Sequence, residues 1–369
     1  MLKRIYLFVV TVLAVAALNA QVTTSSITGT VKGTDGAPLS GATVTATHTP
    51  SGTTYAAVSR ENGLFDLSGL RIGGPYSVTI SYVGTDPKTY NDINLQLGVP
   101  YVLSASLAQG ATELESVIVT TTGRRGASVK TGAATTFSSV QLQTMPSISR
   151  SITDFTRLTP QANGTSFAGR DARYNNFQVD GANLNNNFGL SNDLAPGGGS
   201  PISLDAFDQL TVNIAPFDVR QSGFTGAGVN AVTKSGTNKF HGSAYGFLRN
   251  QNSYGYKVNG TQLSKTPNNN TIVGATLGGP IVKNKLFFFV NYEYEKRSRP
   301  GITFTPKGSS FTGTPSNTSI DSLRKVYNFV KTKYGYDLGA YENFPNFDEN
   351  NRKLLGKMIG ILVTGTSLL

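Results

Sequence analysis

Apolar and polar residues alternate along most of this chain, and the character of the alternation changes twice. Between residues 22 and 110, short β-branched runs recur with Gly, Pro, Asn and Asp between them: Ser26–Val31, Ala42–Thr49, Thr53–Ser59, Leu64–Leu67, Tyr76–Val83, Thr89–Leu97 and Val102–Leu107. Strands at intervals of ~8–12 residues predict an antiparallel sandwich rather than a helical domain. Tyr76, Val78, Ile80 and Tyr82 fall on one face, with Ser77, Thr79 and Ser81 on the other. That is a period of two with one solvated side. His48 ends a run near Pro50. Without a second histidine or a carboxylate cluster nearby, it reads as a solvent-side residue and not a ligand.

After the sandwich comes an isolated β-prone segment, Leu114–Thr120, followed by the loose, basic Thr121–Gly126. Two readings of it stay open. It is a linker strand that joins one of its neighbours, or a strand held for another protein, which would dock by β-addition. Next, Val140–Met145 and Ser149–Leu158 predict short helices, with Ser149 or Ser151 as a cap for the second. Seven of the twenty residues from Tyr174 to Asp193 are Asn, which suits turns and left-handed backbone. Ile202–Asp205, Leu210–Ile214 and Gly226–Gly236 complete this part. Gly226-x-Gly228-x-x-Ala231 fits a dinucleotide fingerprint by letter only, because no βαβ unit surrounds it.

From residue 236 the strands lengthen. Lys239–Arg249 sets Phe240, Gly242, Ala244, Gly246 and Leu248 against His241, Ser243, Tyr245, Phe247 and Arg249. Ile272–Val282 and Lys285–Glu295 flank a tight Lys283-Asn284 turn. In the second of these, Leu286, Phe288, Val290, Tyr292 and Tyr294 share one face, with Phe287, Phe289, Asn291, Glu293 and Glu295 opposite. Apolar-out, polar-in strands of ~10 residues with aromatics toward one end describe membrane β-strands. The short turn on one side and the long segments Asn250–Asn270 and Ser298–Asn350 on the other match the short periplasmic turns and long outer loops of such barrels. Residues 236–369 predict about four strands, where the smallest closed barrels have ~8. Open edges in lipid leave backbone groups unpaired. The expectation is therefore a fragment. Past Lys357 the pattern is lost, and the codons of Met358 and Ile359 permit an Asp in a shifted frame; Met358–Leu369 is expected to be an out-of-frame tail.

Composition narrows the function. Charged residues are 14% of the chain, below the ~25% of an average soluble domain. The formal charge of +11 is not gathered into a Lys/Arg cluster, and no zinc or RNA-binding signature accompanies it, so nucleic acid is not an expected partner. There is no Cys, and the only histidines are His48 and His241. Thiolate metal sites, Fe–S clusters, a cysteine nucleophile and a histidine-based zinc hydrolase are excluded, and no catalytic, metal or cofactor site is expected. Met1–Ala20 has a basic start (Lys3, Arg4), an apolar stretch (Ile5–Leu18) and a small-residue end, as in a secretory signal peptide.

Two resemblances fit this pattern. Gly29-x-Val31, Gly36-x-Pro38-Leu39-x-Gly41-Ala42-x-Val44, Gly63-x-Phe65-x-Leu67-x-x-Leu70, Tyr76-x-Val78 and Tyr82-Val83-Gly84 resemble the carboxypeptidase-regulatory-like family of transthyretin-type sandwiches, an accessory fold without implied peptidase activity. The segments after it resemble the plug of TonB-dependent outer-membrane receptors, most of all the Oar-like subgroup. There the TonB box corresponds to Glu115, Ser116, Val117, Ile118, Val119 and Thr120. The plug's "(I/V)DG" element corresponds to Val179, Asp180 and Gly181, and its closing strand to Gly228, Asn230, Thr233 and Lys234. A Glu and a Gly-Pro that many plugs carry appear here as Asp208 and Ala215-Pro216.

The resemblance implies a mainly β architecture. Its parts are a signal peptide (1–20), a transthyretin/Ig-like β-sandwich (22–110), a TonB box-like strand (113–120) and an α/β plug domain (125–235). The first strands of an incomplete transmembrane β-barrel (236–357) and the tail (358–369) complete it. It implies an outer-membrane location with sandwich and plug on the periplasmic side, no cofactor, and outer-membrane lipid as surroundings. The implied partners are a TonB-type periplasmic energy-transducing protein and a cargo open among glycan, peptide and protein. The alternative is a secreted or surface adhesion or scaffold protein that binds glycans or proteins through the sandwich without transport.

Overall fold

The computed structural model describes residues 23–109, 118–119, 133–185, 200–216, 221–262, 265, 268–301, 304–311, 314–344 and 346–360. The signal-peptide expectation, tag residues Glu115, Ser116, Val117 and Thr120, and the tail beyond Gly360 lie outside the described residues. By internal packing the chain forms two units, one of residues 1–241, 277–290 and 355–369, the other of residues 242–276 and 291–354.

In the first unit, all seven expected runs are strands: β1 (Ser25–Gly33), β2 (Thr43–His48), β3 (Thr53–Val58), β4 (Leu64–Leu70), β5 (Gly73–Ser81), β6 (Lys88–Leu95) and β7 (Tyr101–Leu107). They form two sheets in the orders β4-β1-β7 and β3-β2-β5-β6, the second extended at β6 by β8 (Ile118–Val119). Between them Ile27, Val44, Phe65, Tyr76, Val78, Ile80, Ile93 and Leu107 are buried, each large side chain contributing about 1.5–3 kcal/mol of apolar transfer. The sandwich is not wholly antiparallel, because β1 and β7 pair in parallel from Ile27↔Tyr101 to Gly33↔Leu107. Alternation reports which face a residue takes, not the direction of the neighbouring strand. Gly29 permits this pair: a Cβ there would lie 1.7 Å from the Leu103 carbonyl oxygen.

His48 corrects the sequence reading. It is 5% exposed, its Nδ1 lies 2.6 Å from Ser51 Oγ, and its ring centroid is 4.9 Å from that of Tyr76. Ser51 is in turn 2.7 Å from Thr53 Oγ1. The turn after β2 folds these three polar side chains onto one another, which satisfies them away from water. Burial, and then the Arg71 charge, lower the His48 pKa to about 4.

The first unit continues with β9 (Ala133–Ser138), helix α1 (Ser139–Thr144), helix α2 (Thr153–Thr156), β10 (Ala162–Asn163), β11 (Ser166–Phe167), β12 (Asn176–Val179), β13 (Ala182–Asn183), β14 (Phe207–Ile214) and β15 (Ala227–Thr233). One mixed sheet has the order β13-β12-β15-β14-β9. A capping box starts α1: Ser138 N donates to Gln141 Oε1 at 2.9 Å, and Gln141 N donates to Ser138 Oγ at 3.4 Å. Where Ser149–Leu158 predicted a helix, only the single turn of α2 forms. Arg150 sits at φ 51, and Ser149 N donates to Asp154 Oδ2 at 2.7 Å, so the chain enters α2 as a loop pinned by that carboxylate.

After β15 in the chain come β16 (His241–Arg249), the small hairpin β17 (Lys257–Val258) and β18 (Thr261–Gln262), β19 (Asn269–Val282), β20 (Leu286–Pro300), the parallel pair β21 (Phe304–Lys307) and β22 (Thr314–Ser319), helix α3 (Ile320–Tyr334) and β23 (Asn346–Gly360). The four long strands make one open sheet in the order β16-β19-β20-β23, matching the expected count. Asn284 takes φ 62 in the expected tight turn between β19 and β20. Strand β23 continues through Met358–Gly360, past the point where the sequence pattern fades. Helix α3 was not anticipated. Ser319 Oγ accepts from Asp321 N at 3.2 Å, and Gly335 closes the helix at φ 64.

Candidate functional site

The two motifs that resemble those of a plug meet, although more than forty residues separate them in the sequence. Strand β12 runs parallel to β15, pairing Asn176↔Gly228, Gln178↔Asn230 and Val179↔Ala231. It ends in a left-handed turn, Asp180 at φ 47 and Gly181 at φ 87. That turn sends the Asp180 carboxylate back to the end of β15. There Oδ1 accepts from Thr233 N at 3.0 Å, and Oδ2 accepts from Thr233 Oγ1. Val179 and Val229 go into an apolar core with Phe177, Phe207 and Leu210, and Asn230 is buried. Gly228 leaves room for Phe224, whose Cζ would lie 2.8 Å from a Cβ at that position.

A third element closes the cluster. Lys357, on β23, donates from Nζ to Asp180 Oδ1, Thr233 O and Thr233 Oγ1, each at 3.0 Å. Sequence reading missed Lys357 because a single lysine in a strand carries no motif. Lys234 follows on β15 with its N–H on Ala206 O at 2.7 Å. Burial lowers its pKa, while Asp205 and Asp208 oppose the shift. Asp208 is pushed up by burial against the pull of Lys234, Arg71 and Lys357.

Residues of the sandwich reach the same end of β15 and the start of β14. The Arg71 guanidinium donates to Ser235 Oγ and, at 3.5 Å, to Gly236 O. Ile72 and Leu97 form a buried apolar cluster with Val232. Leu97 N donates to Gln209 Oε1 at 3.2 Å, and Asn238 N donates to Pro50 O at 2.9 Å. Burial lowers the Arg71 pKa, against the opposing pull of Tyr55, Tyr76 and Asp208.

The buried face of β20 begins with Phe287 and Phe289, and from Val290 to Glu295 the usual burial pattern is inverted. Asn291, Glu293 and Glu295 are 1%, 3% and 7% exposed, whereas Val290 and Tyr292 are 40% and 46% exposed. Lys353 Nζ lies 2.8 Å from Glu293 Oε1 and 3.3 Å from Glu295 Oε2. Tyr245 donates its hydroxyl to Glu293 Oε2 at 2.9 Å. In water, charges go outside and apolar side chains inside. The reverse, at period two, is the pattern of a barrel wall with lipid on one side and a polar interior on the other. Among the described residues no helix is long and apolar enough to cross a membrane, which does not bear on strands. No group of three or more His, Asp or Glu side chains among them is placed to hold a metal ion. The proposed tag residues Ile118 and Val119 lie apart from the plug cluster, on the edge of the sandwich, with Thr89↔Ile118 and Tyr90↔Val119 paired in parallel.

Comparison with known proteins identifies the class. Residues 26–108 match the carboxypeptidase regulatory-like domain, and residues 232–355 match an outer membrane beta barrel domain family. The chain thus resembles an outer membrane beta barrel domain over one segment and a carboxypeptidase regulatory-like domain over another. It is 31% identical over 158 residues to the TonB-dependent transporter Oar of Myxococcus xanthus, a match covering 39% of this chain and 14% of that protein. Among solved structures, it is similar to the siderophore receptor PirA from Acinetobacter baumannii (21% identity, TM-score 0.37, 46% of this chain and 25% of that one). The outer membrane transporter YddB from Escherichia coli is a second (14% identity, TM-score 0.38, 49% and 28%).

Proposed function

We propose that this chain supplies the sandwich, plug and first wall strands of an outer-membrane receptor that takes up a cargo using energy delivered from the periplasm. An outer membrane with open pores sustains no ion gradient, so the work has to arrive through a mechanical partner. A TonB-type protein grasping Glu115–Thr120 as an added strand provides it, because main-chain pairing gives affinity to a linear segment. Tension on that segment, which precedes β9 in the chain, then acts on the plug. Sandwich and plug lie on the periplasmic side in this reading.

The observation that carries the proposal is the inverted burial of β20, with Glu293 and Glu295 inside and Val290 and Tyr292 outside. A secreted adhesion module has no use for an apolar outer wall around buried carboxylates. The Asp180–Thr233 closure supports the plug assignment, since it joins the two resembling motifs in one cluster. Deleting Ser116–Val119 in the receptor is the test. Uptake should be abolished while surface binding of cargo persists. Unchanged uptake overturns the coupling role, and release of the protein from membranes by salt or urea favours the adhesin instead.

A further inference from the structure

The outer edge of β6 is where the five-stranded sheet of the sandwich would otherwise stop. An edge strand presents a row of unpaired N–H and C=O groups and is a template for any extended segment. Here that template is rigid. Along its inner edge β6 pairs with β5 from Gly73↔Leu95 to Ile80↔Lys88, and Tyr90, Ile93 and Leu95 are fixed in the core. The occupant of its outer edge is Ile118–Val119, in register with Thr89 and Tyr90. These two residues are the centre of the segment assigned above to the energy-transducing partner. The platform is itself anchored to the plug base through Arg71, the Ile72–Leu97–Val232 cluster and the Leu97–Gln209 hydrogen bond.

We infer that the sandwich is a storage dock for the coupling strand: β6 holds Ile118–Val119 back from the periplasmic partner, which must strip the strand from this edge before it can pull. The inference rests on the assignment of Glu115–Thr120 under the proposed function. Its physical basis is competition for backbone groups. A strand paired along β6 has committed hydrogen-bonding groups that the partner needs, so only the undocked fraction binds at full affinity. The sandwich thereby acquires a regulatory role, damping engagement of a receptor whose coupling segment would otherwise stand permanently available.

The chain contains no cysteine, which makes a disulfide test unambiguous. Paired strands are about 4.7–4.9 Å apart, within the ~4.4–6.8 Å Cα separation of disulfides. The variant Thr89→Cys/Ile118→Cys, in the full chain in detergent or membranes, should cross-link readily under a mild thiol oxidant. Thr54→Cys/Ile118→Cys, at the opposite edge of the same sheet, should not. Binding of the purified periplasmic portion of the TonB-type partner should be at least tenfold weaker to the oxidised first variant, with recovery on reduction. Cross-linking no more efficient than in the Thr54 control overturns the docking. Equal binding by oxidised and reduced forms overturns the competition, and would mean that the partner adds to the outer edge of Ile118–Val119 instead. If the cross-link forms but neither the reduced variant nor the unaltered chain binds the partner, the coupling assignment falls while the docked strand stands. Amide exchange in the unaltered chain gives a second reading free of substitutions. Ile118 and Val119 unprotected relative to a free peptide would likewise overturn the dock.

Discussion

Replacing Asp180 with Ala removes the hinge of the plug cluster. The carboxylate accepts Thr233 N at 3.0 Å, Thr233 Oγ1, and Lys357 Nζ at 3.0 Å. A hydrogen bond to a charged group contributes about 1.5–3 kcal/mol net. The side chains of Asp180 and Lys357 are 32% and 20% exposed, so the ion pair itself adds only about 0–1 kcal/mol. Lys357 keeps its two bonds to Thr233, which limits the loss further. The expected destabilisation of the end of β15 is about 3 kcal/mol, or roughly a hundredfold in local opening at ~1.4 kcal/mol per decade. Amide hydrogen exchange at Thr233 measures it directly, since that N–H is the one released. Asp180→Asn keeps an acceptor oxygen and loses the charge, so it should fall in between. Exchange at Thr233 within threefold of the parent would refute the reasoning and reduce the motif to a simple turn.

The other predictions concern the sandwich and the wall. His48 has its pKa lowered to about 4 in the folded state from an ordinary 6.5, so the unfolded chain takes up a proton first as pH falls. Stability is thus full above pH 6.5 and is lost between 6.5 and about 4, by about 3 kcal/mol. Urea melts of residues 23–109 at pH 7 and 4.5 should show the difference, and His48→Asn should flatten it. Lys353→Met strands Glu293 and Glu295 without their ammonium and should cost about 3–5 kcal/mol. Thermal melting in detergent reads that loss, and adding Glu293→Gln should recover part of it.

Period-two alternation made the seven sandwich strands and the faces of β20 legible in the sequence, because side-chain direction follows directly from position in a strand. It does not encode which strand lies next door, so the parallel β1–β7 pair was out of reach, and a segment readable as a linker strand joining a neighbour gave no sign that the neighbour is β6. Helix α3 carries ordinary start and stop signals in its sequence: Ser319, the spaced apolar residues Ile320, Leu323, Val326 and Tyr327, and Gly335. The failed helix at Ser149–Leu158 shows the opposite case, in which a buried Asp154 redirects a segment of adequate propensity. His48 was misjudged because its partners, Ser51 and Thr53, are unremarkable in sequence and matter only once the turn closes. Motif resemblance named Asp180 and Thr233 without revealing that they touch. Lys357 joins them through a strand that begins well over a hundred residues later.

The central claim is that the sheet β16-β19-β20-β23 is a wall with lipid on one face. Single cysteines at 288, 290, 291, 292, 293 and 294 in this cysteine-free chain, spin-labelled in the outer membrane, test it most directly. The account predicts high collision rates with lipid-soluble oxygen at 288, 290, 292 and 294 and low rates at 291 and 293. Uniform access to a water-soluble relaxant at all six positions, or oxygen access in phase with 291 and 293, would contradict it.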